Sequence, residues 1–395
     1  MNTLTLSAWS AAFFLASCLF SHTVALRMIL LFTAAACAGA AVARDRRALR
    51  VLPPVWPAFA AWGLWAALSM LWSLDPALSQ KEWRNEVCYS GLAFVVCYVA
   101  GQTERSEKIF LPILSMAALG LCGNAVYDHW RSAPISPDGW HGGQGNLSGI
   151  LLVLLPCVLM TGWYSARTHI LGVAIAAAGL GIAVLLAGYA TDNRTVWLAF
   201  TLQALVAGGL TGQRSAPRIG KRALIAGTLI LVTGIAMAAL VHQERLGSNE
   251  AMPLASDPRF DVWAAAASLV GDRPWTGHGF GRGMLHMPLV QLTGNPMLWH
   301  SHNLFIDATL QTGVVGVLLL AALFGWTALV GWRLARSTDD KAAACGIALV
   351  TVVLGTLTRN MTDLVWQRHP ALVYWGVVGI LMAWGAGKAR ARLPS

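Results

Sequence analysis

Between residues 299 and 316 the chain reads WHSHNLFIDATLQTGVVG. His300 and His302 are bases that change charge near neutrality, and a long apolar run follows them. Such a cluster can hold a metal ion, act as a general base, or simply cap the segment that follows. A metal site would want three or four ligands at matched spacing, and no HxxE or DxH companion supplies them. Two residues apart, the histidines would point to different sides of a helix, so only one is expected to face a given cavity. General-base work needs a neutral imidazole near the working pH, which histidine offers without tuning. Ser301 or Asn303 is the expected cap.

Three more polar features stand in apolar surroundings. Arg194, in GYATDNRTVWLAF, sits where one apolar run ends and the next begins. It can snorkel to headgroups or point inward toward an anionic ligand. Arg259, in SDPRFDVWAAAASLVGDRP, falls in the first turn of an expected helix capped by Asp257, with Pro258 at its first position and Gly271 closing it. Phe260, Trp263, Ala267 and Val270 are its expected apolar face, suited to the membrane surface or to roofing a cavity. A cation there opposes the helix dipole by a few tenths of a kcal/mol, yet with free N–H groups it makes an anion site. The stretch GDRPWTGHGFGRG (271–283) has glycine at every second position from 277 to 283. It reads as a tight turn between two surface helices, with a substrate groove as the alternative that would engage His278 and Arg282.

The elements that must position these residues are membrane helices. Of 395 residues, 56% are hydrophobic and 12% charged, about half the roughly 25% usual for a soluble domain. Spans are expected near 5–22, 24–43, 55–72, 87–101, 109–127, 147–163, 169–188, 195–211, 222–241, 304–332, 342–358 and 370–387. The run 304–332 is long enough to be tilted or broken, and Asp307 within it argues that its first turns face protein or water. The first run has no basic start or cleavage signature of a removed signal peptide.

Lys and Arg in the short loops set the orientation. With 44–54 cytoplasmic, that side takes Arg44, Arg105, Arg167, Arg214, Arg336 and Lys341 with their neighbours, which is most of the 28 cations. Most of the 18 acids fall on the other face, and both termini are expected in the cytoplasm. The +10 net charge is then topological, with no nucleic-acid footprint. Cys18, Cys37, Cys88, Cys97, Cys122, Cys157 and Cys345 all fall in expected spans, which argues against a disulfide framework. No Walker A loop or HExxH occurs, so neither nucleotide nor metal is expected as a cofactor. The chain is read as one transmembrane domain over 1–395, interrupted by a large outer loop at 242–303 and closed by C-terminal helices over 304–395.

His302-Asn303, nine residues, then Gly313-Val314-Val315-Gly316 resembles the His-Asn-x9-Gly-x-x-Gly pattern of the O-antigen ligase family. LWAALSMLWSLDPALS (64–79), the NRTVWLAF span start and DPRFDVWAAAASLVGDRPWTGHGFG extend the resemblance over roughly residues 60–320 in the same order. That family shares its membrane domain with O-antigen polymerases and bacterial O-oligosaccharyltransferases. The resemblance implies an all-α, GT-C-like polytopic glycosyltransferase of the bacterial inner membrane, with its active site facing the periplasm. It implies an undecaprenyl-pyrophosphate-linked glycan as donor and a lipid A–core sugar hydroxyl as acceptor, without metal or nucleotide and with inversion. The family's important arginines correspond to Arg194 and Arg259 and its histidine to His302; for Arg259 only the spacing to Trp263 guides the match. His300, Asn303, His278, Arg282 and Asp307 are expected as supporting substrate-binding groups.

The chemistry stands by itself as well. A diphosphate on a polyprenyl tail needs cations at the membrane surface, and it leaves readily without a metal. Polymerase and protein O-oligosaccharyltransferase are the neighbouring readings; the 395-residue length favours the ligase, because the protein-modifying relatives usually carry a longer C-terminal region. A transporter or flippase of lipid-linked glycan would instead show internal symmetry and midplane ionisable pairs, and the sequence shows neither.

Overall fold

The computed structural model describes residues 3–44, 55–131, 135–214, 258–298 and 300–386. Among them there are helices and turns and no strand. The order is α1 (Thr3–Cys18), α2 (Val24–Arg44), α3 (Val55–Leu68), α4 (Pro76–Trp83), α5 (Tyr89–Gly101), α6 (Ser106–Trp130), α7 (Gln144–Arg167) and α8 (Leu171–Ala190). There follow α9 (Arg194–Gly212), α10 (Arg259–Asp272), α11 (His286–Thr293), α12 (Leu304–Ala335), α13 (Asp340–Asn360) and α14 (Arg368–Ala386). A 3-10 turn, Ser69–Trp72, extends α3, and a π-turn, Arg84–Cys88, joins α4 to α5.

Nine of the described helices are long and apolar enough to cross a membrane, and α1 is a shorter apolar helix. The chain is an all-α polytopic membrane protein. Each expected span has a counterpart except 222–241, which lies outside the described residues, as do Asp257, residues 242–256 and the terminal segment 387–395. The short expected span at 87–101 is the end of a longer helical path that starts at the Asp75 cap, whose carboxylate accepts from Leu78 N–H.

Solvent-like exposure separates inner from outer helices. α14 is buried along almost its whole length against α5, α13 and α7, and it is the central post of the bundle. α2 and α8 present Ile29, Phe32, Ile175, Ile182 and Leu186 outward, as lipid-facing helices do. Inside, Gln203 of α9 donates to the Leu152 and Thr351 carbonyls of α7 and α13. Such interhelical bonds contribute roughly 0.6 kcal/mol each in membranes, so packing carries most of the association.

α12 is broken near its start. Gly313 has φ 69° and ψ −175°, a backbone region essentially restricted to glycine. The break frees carbonyls, and the glycine-rich segment 271–283 uses them. His278 and Gly279 N–H donate to the Leu310 and Gln311 carbonyls, and Val314 N–H donates to the Pro274 carbonyl. Trp65 Nε1 donates to Thr312 O and Trp72 Nε1 to Thr276 O. A Cβ on Gly277 would stand 2.5 Å from the Gln311 carbonyl carbon, so the close approach needs glycine. The segment is thus more than a turn between surface helices: it straps the kinked helix to α3.

The surface helix α10 forms where expected but with a different inner face. Val262 and Ala266 are its buried residues, joined by Trp263, Leu269 and Val270 against Leu285, Leu289 and Leu310. Phe260 and Ala267, expected inside, are exposed, and the helix continues to Asp272 past Gly271. The helix packs on α11 and on the first turns of α12, so protein partners rather than a flat apolar surface select its face.

Candidate active site

The segment before α12 is not helical. His302 has φ 52°, and Asn303 is the N-cap, accepting from Phe305 and Ile306 N–H. Asn303 also donates to Met361 O, which ties this cap to the turn after α13. The positive φ folds His302 back over His300, so the ring centroids lie 3.8 Å apart. The expectation that the two rings face different sides is overturned, because it assumed a helical 100° step.

A chain of hydrogen bonds runs through the pair. Arg282 Nη2 donates to His300 Nε2 at 2.7 Å, and His302 N–H donates to His300 Nδ1 at 3.0 Å. A neutral imidazole accepts at one nitrogen only, so each tautomer makes one of these bonds fully. Burial, with the charge of Arg282 and the neighbouring His302 adding to it, pulls the His300 pKa down to about 3. His300 is neutral at any physiological pH.

His302 Nδ1 faces Asp363 Oδ1 at 3.3 Å, and Arg359 Nη2 donates to Asp363 Oδ2 at 2.9 Å. Arg359 is held in turn by Ser148 Oγ at 3.1 Å. Burial opposes ionisation of Asp363. Hydrogen bonds from His302 and Leu364 and the charges of Arg359 and His302 outweigh it and hold the carboxyl well below the usual range. An ionised Asp363 fixes the His302 tautomer with its proton on Nδ1, which makes Nε2 the basic nitrogen.

The other expected residues fall around this chain. Thr195, next to Arg194, touches Thr362 at 3.1 Å, so the start of α9 lies beside the turn that carries Asp363. Arg194 itself is exposed there. Arg259 opens α10 within electrostatic reach of Arg359, and one turn on, Trp263 Nε1 donates to Ser301 O. Asp307 is buried as expected and accepts from Ser301 N–H at 2.9 Å and from its hydroxyl at 2.5 Å, which braces the histidine segment. His278 donates its ring proton to Leu269 O, so its part is to anchor the strap to α10. Arg194, Arg259 and His302 therefore share one end of the bundle; none of them lines the neighbouring cavity that Arg282 borders.

Arg359 and Asp363 were not singled out from sequence. The signal was present in RNMTDLVWQRHP (359–370), a charged interruption between two apolar runs, with Arg359 and Arg368 on the same outward face as Arg194. Asp363 also completes a set that was judged incomplete: ligand atoms of His300, His302 and Asp363 lie within 4.8 Å of one another. Arg282 and Arg359 are bonded to two of these three groups, so each of the two already has a cationic partner.

Comparison with known proteins bears on this site. A family model described as O-Antigen ligase matches residues 152–321, which include Arg194, Arg259 and His302. An O-antigen ligase of Pseudomonas aeruginosa is 23% identical over 315 residues, covering 78% of this chain and 71% of the relative. Both matches support the O-antigen ligase family for this chain.

Proposed function

We propose that the protein is an O-antigen ligase of the bacterial inner membrane, with the His302 end facing the periplasm and both termini in the cytoplasm. It transfers a glycan from undecaprenyl pyrophosphate to a sugar hydroxyl of lipid A–core. Arg194 and Arg259 hold the diphosphate, and His302 Nε2 takes the proton of the acceptor hydroxyl. As that oxygen bonds to the anomeric carbon, the carbon–oxygen bond to the diphosphate breaks on the opposite face. The bonding electrons leave with undecaprenyl pyrophosphate, the proton stays on His302, and the configuration inverts. Asp363 stabilises the imidazolium that forms, and the guanidinium groups stabilise the charge on the leaving group. The observation that carries this reading is the His302–Asp363 pair set among arginines at one end of a membrane bundle.

The test is reconstitution with purified lipid-linked glycan and lipid A–core, scoring ligated product. Arg194→Ala, Arg259→Ala and His302→Ala are each expected to lose nearly all product while inserting normally, and a chelator is expected to change nothing. Full activity in the His302 variant removes the base role. Product that appears only as lengthened donor moves the assignment to a polymerase, and glycosylated protein moves it to an O-oligosaccharyltransferase.

A further inference from the structure

Across Arg282 from the histidine pair lies a cavity of about 630 Å³ counting its mouth. Its walls include the aromatic rings of Trp62, Phe280 and Trp366, which pack on one another with Trp62 centroids 6.0 Å from both partners. Its charged groups are mainly acidic: Glu82, Glu86 and Asp307 line it with Arg282, beside the neutral Gln311, Thr312 and Gln367.

This charge pattern selects the ligand. One guanidinium among three carboxyl groups offers a diphosphate no cationic clamp, and its place is the arginine-rich side at Arg359. Aromatic faces take the C–H face of a sugar ring, and carboxyl oxygens accept hydroxyl hydrogens. Glu82 precedes and Glu86 lies within the π-turn Arg84–Cys88, a local widening of the helix of the kind that recurs at functional sites. Glu86 also accepts Arg368 N–H on both oxygens at 2.9 Å. Burial, with the charge of Glu82 adding to it, lifts the Glu86 carboxyl to about 7 against the pull of that N–H, so near neutrality it can donate as well as accept. Arg282 and Asp307 reach from this cavity to His300 and Ser301, so two side chains, Arg282 and His300, separate its occupant from the proposed base His302.

We propose that this cavity binds one saccharide ring of a substrate glycan, with Glu82 and Glu86 receiving its hydroxyl groups. The assignment rests on the glycan-transfer reading above and adds the place of the sugar to it. The ring belongs either to the acceptor or to the donor, and kinetics separates the two.

The experiment uses full-length protein in nanodiscs and the variants Glu82→Gln and Glu86→Gln. Both keep side-chain volume, and an amide oxygen at 86 still accepts from Arg368. Saturation-transfer NMR is run with lipid-free core oligosaccharide and lipid-free O-antigen oligosaccharide, alongside binding of sugar-free undecaprenyl pyrophosphate. One oligosaccharide is expected to bind wild type and to weaken at least tenfold in each variant, with undecaprenyl pyrophosphate unaffected. In ligation assays the matching KM rises at least tenfold while kcat changes less than threefold. A raised acceptor KM places the core sugar in the cavity, and a raised donor KM places the O-antigen sugar there. Unchanged binding of both oligosaccharides in both folded variants overturns the proposal, as does wild type that binds neither. Wild type that binds an oligosaccharide through Glu82 and Glu86 but makes no ligated product upholds the cavity and removes the ligase reading.

Discussion

The bundle has two charged ends built from the same residue types and used differently. At one end Arg167 and Arg214 both bond Asp340, and Lys341 pairs with Glu107. These side chains are about one-fifth to one-third exposed, and each cation meets a carboxylate across neighbouring helices. At the other end Arg359 is 3% exposed and holds Asp363, Arg282 is spent on a neutral imidazole, Arg194 opens a helix packed beside the turn that carries Asp363, and Arg259 comes within electrostatic reach of Arg359. The first arrangement latches loops together. The second concentrates positive charge beside a base, which is costly unless something anionic is meant to arrive.

The largest effect expected from this contrast is at Asp363. Asp363→Asn removes the partner of a buried guanidinium, a change that costs about 3–5 kcal/mol when no charge compensates. It also frees the His302 tautomer, and losing an oriented base lowers rate by about 10²–10⁴. Thermal unfolding in detergent and ligation rate, measured on the same preparation, should both fall. A variant that unfolds earlier yet turns over normally would reduce Asp363 to a structural ion-pair partner and erase the distinction between the two ends.

A comparable loss is expected from Gly313→Ala, through backbone rather than charge. A Cβ there would stand 2.1 Å from Trp275 O, and the φ/ψ values alone cost about 1–3 kcal/mol for an L side chain. Straightening the kink withdraws the carbonyls that seat segment 271–283, which carries Arg282 to His300. Ligation should drop at least tenfold. The latch at Arg167 and Asp340 should be untouched, as limited proteolysis of that loop can check.

The membrane helices were legible because lipid demands long apolar runs, and each described span was marked by one. Asn303 as a cap and Asp307 as an inward group were legible for the same local reasons. The meeting of His300 with His302 was not, since one positive φ at His302 decides it and no residue type there announces it. The inner face of α10 was legible only in part: Trp263 and Val270 pack inward as expected, whereas Phe260 and Ala267 face out and Val262 and Ala266 meet Leu285 and Leu310 instead. Asp363 lies 61 residues from His302, and the contact exists only once α13 has packed beside α12. Spacing arguments see neighbours along one helix; they do not see groups delivered by separate helices to a common rim.

A smaller effect should appear with pH. The folded pKa of His300, about 3, lies below the roughly 6.5 of an unfolded histidine. Between those values the unfolded chain binds the extra proton, so stability is complete above about 6.5 and declines as pH falls toward 3. The slope from this one residue is at most about 1.4 kcal/mol per pH unit. In His300→Gln the melting temperature should fall less steeply between pH 6.5 and 4.5 than in wild type. Parallel curves would mean that His300 charges freely and that its burial beside Arg282 is not maintained.

The smallest effect belongs to the latch. Asp340 is about one-third exposed, and although burial opposes its ionisation, the two arginines hold its pKa below the usual carboxylate value. Asp340→Asn keeps the side-chain shape and leaves Arg167 and Arg214 in contact with water, and Arg214 also keeps the Ala335 and Ser337 carbonyls. Exposed pairs contribute about 0–1 kcal/mol and weaken with salt. The variant should therefore melt within a few degrees of wild type, and the difference should shrink in 1 M salt. Its ligation rate should be unchanged, because the proposed substrates engage the opposite end. The same chemical change, carboxylate to amide, then separates the ends by several kcal/mol and by orders of magnitude in rate. Equal losses at 340 and 363 would show that helix packing, rather than concentrated charge beside a base, sets the behaviour of both.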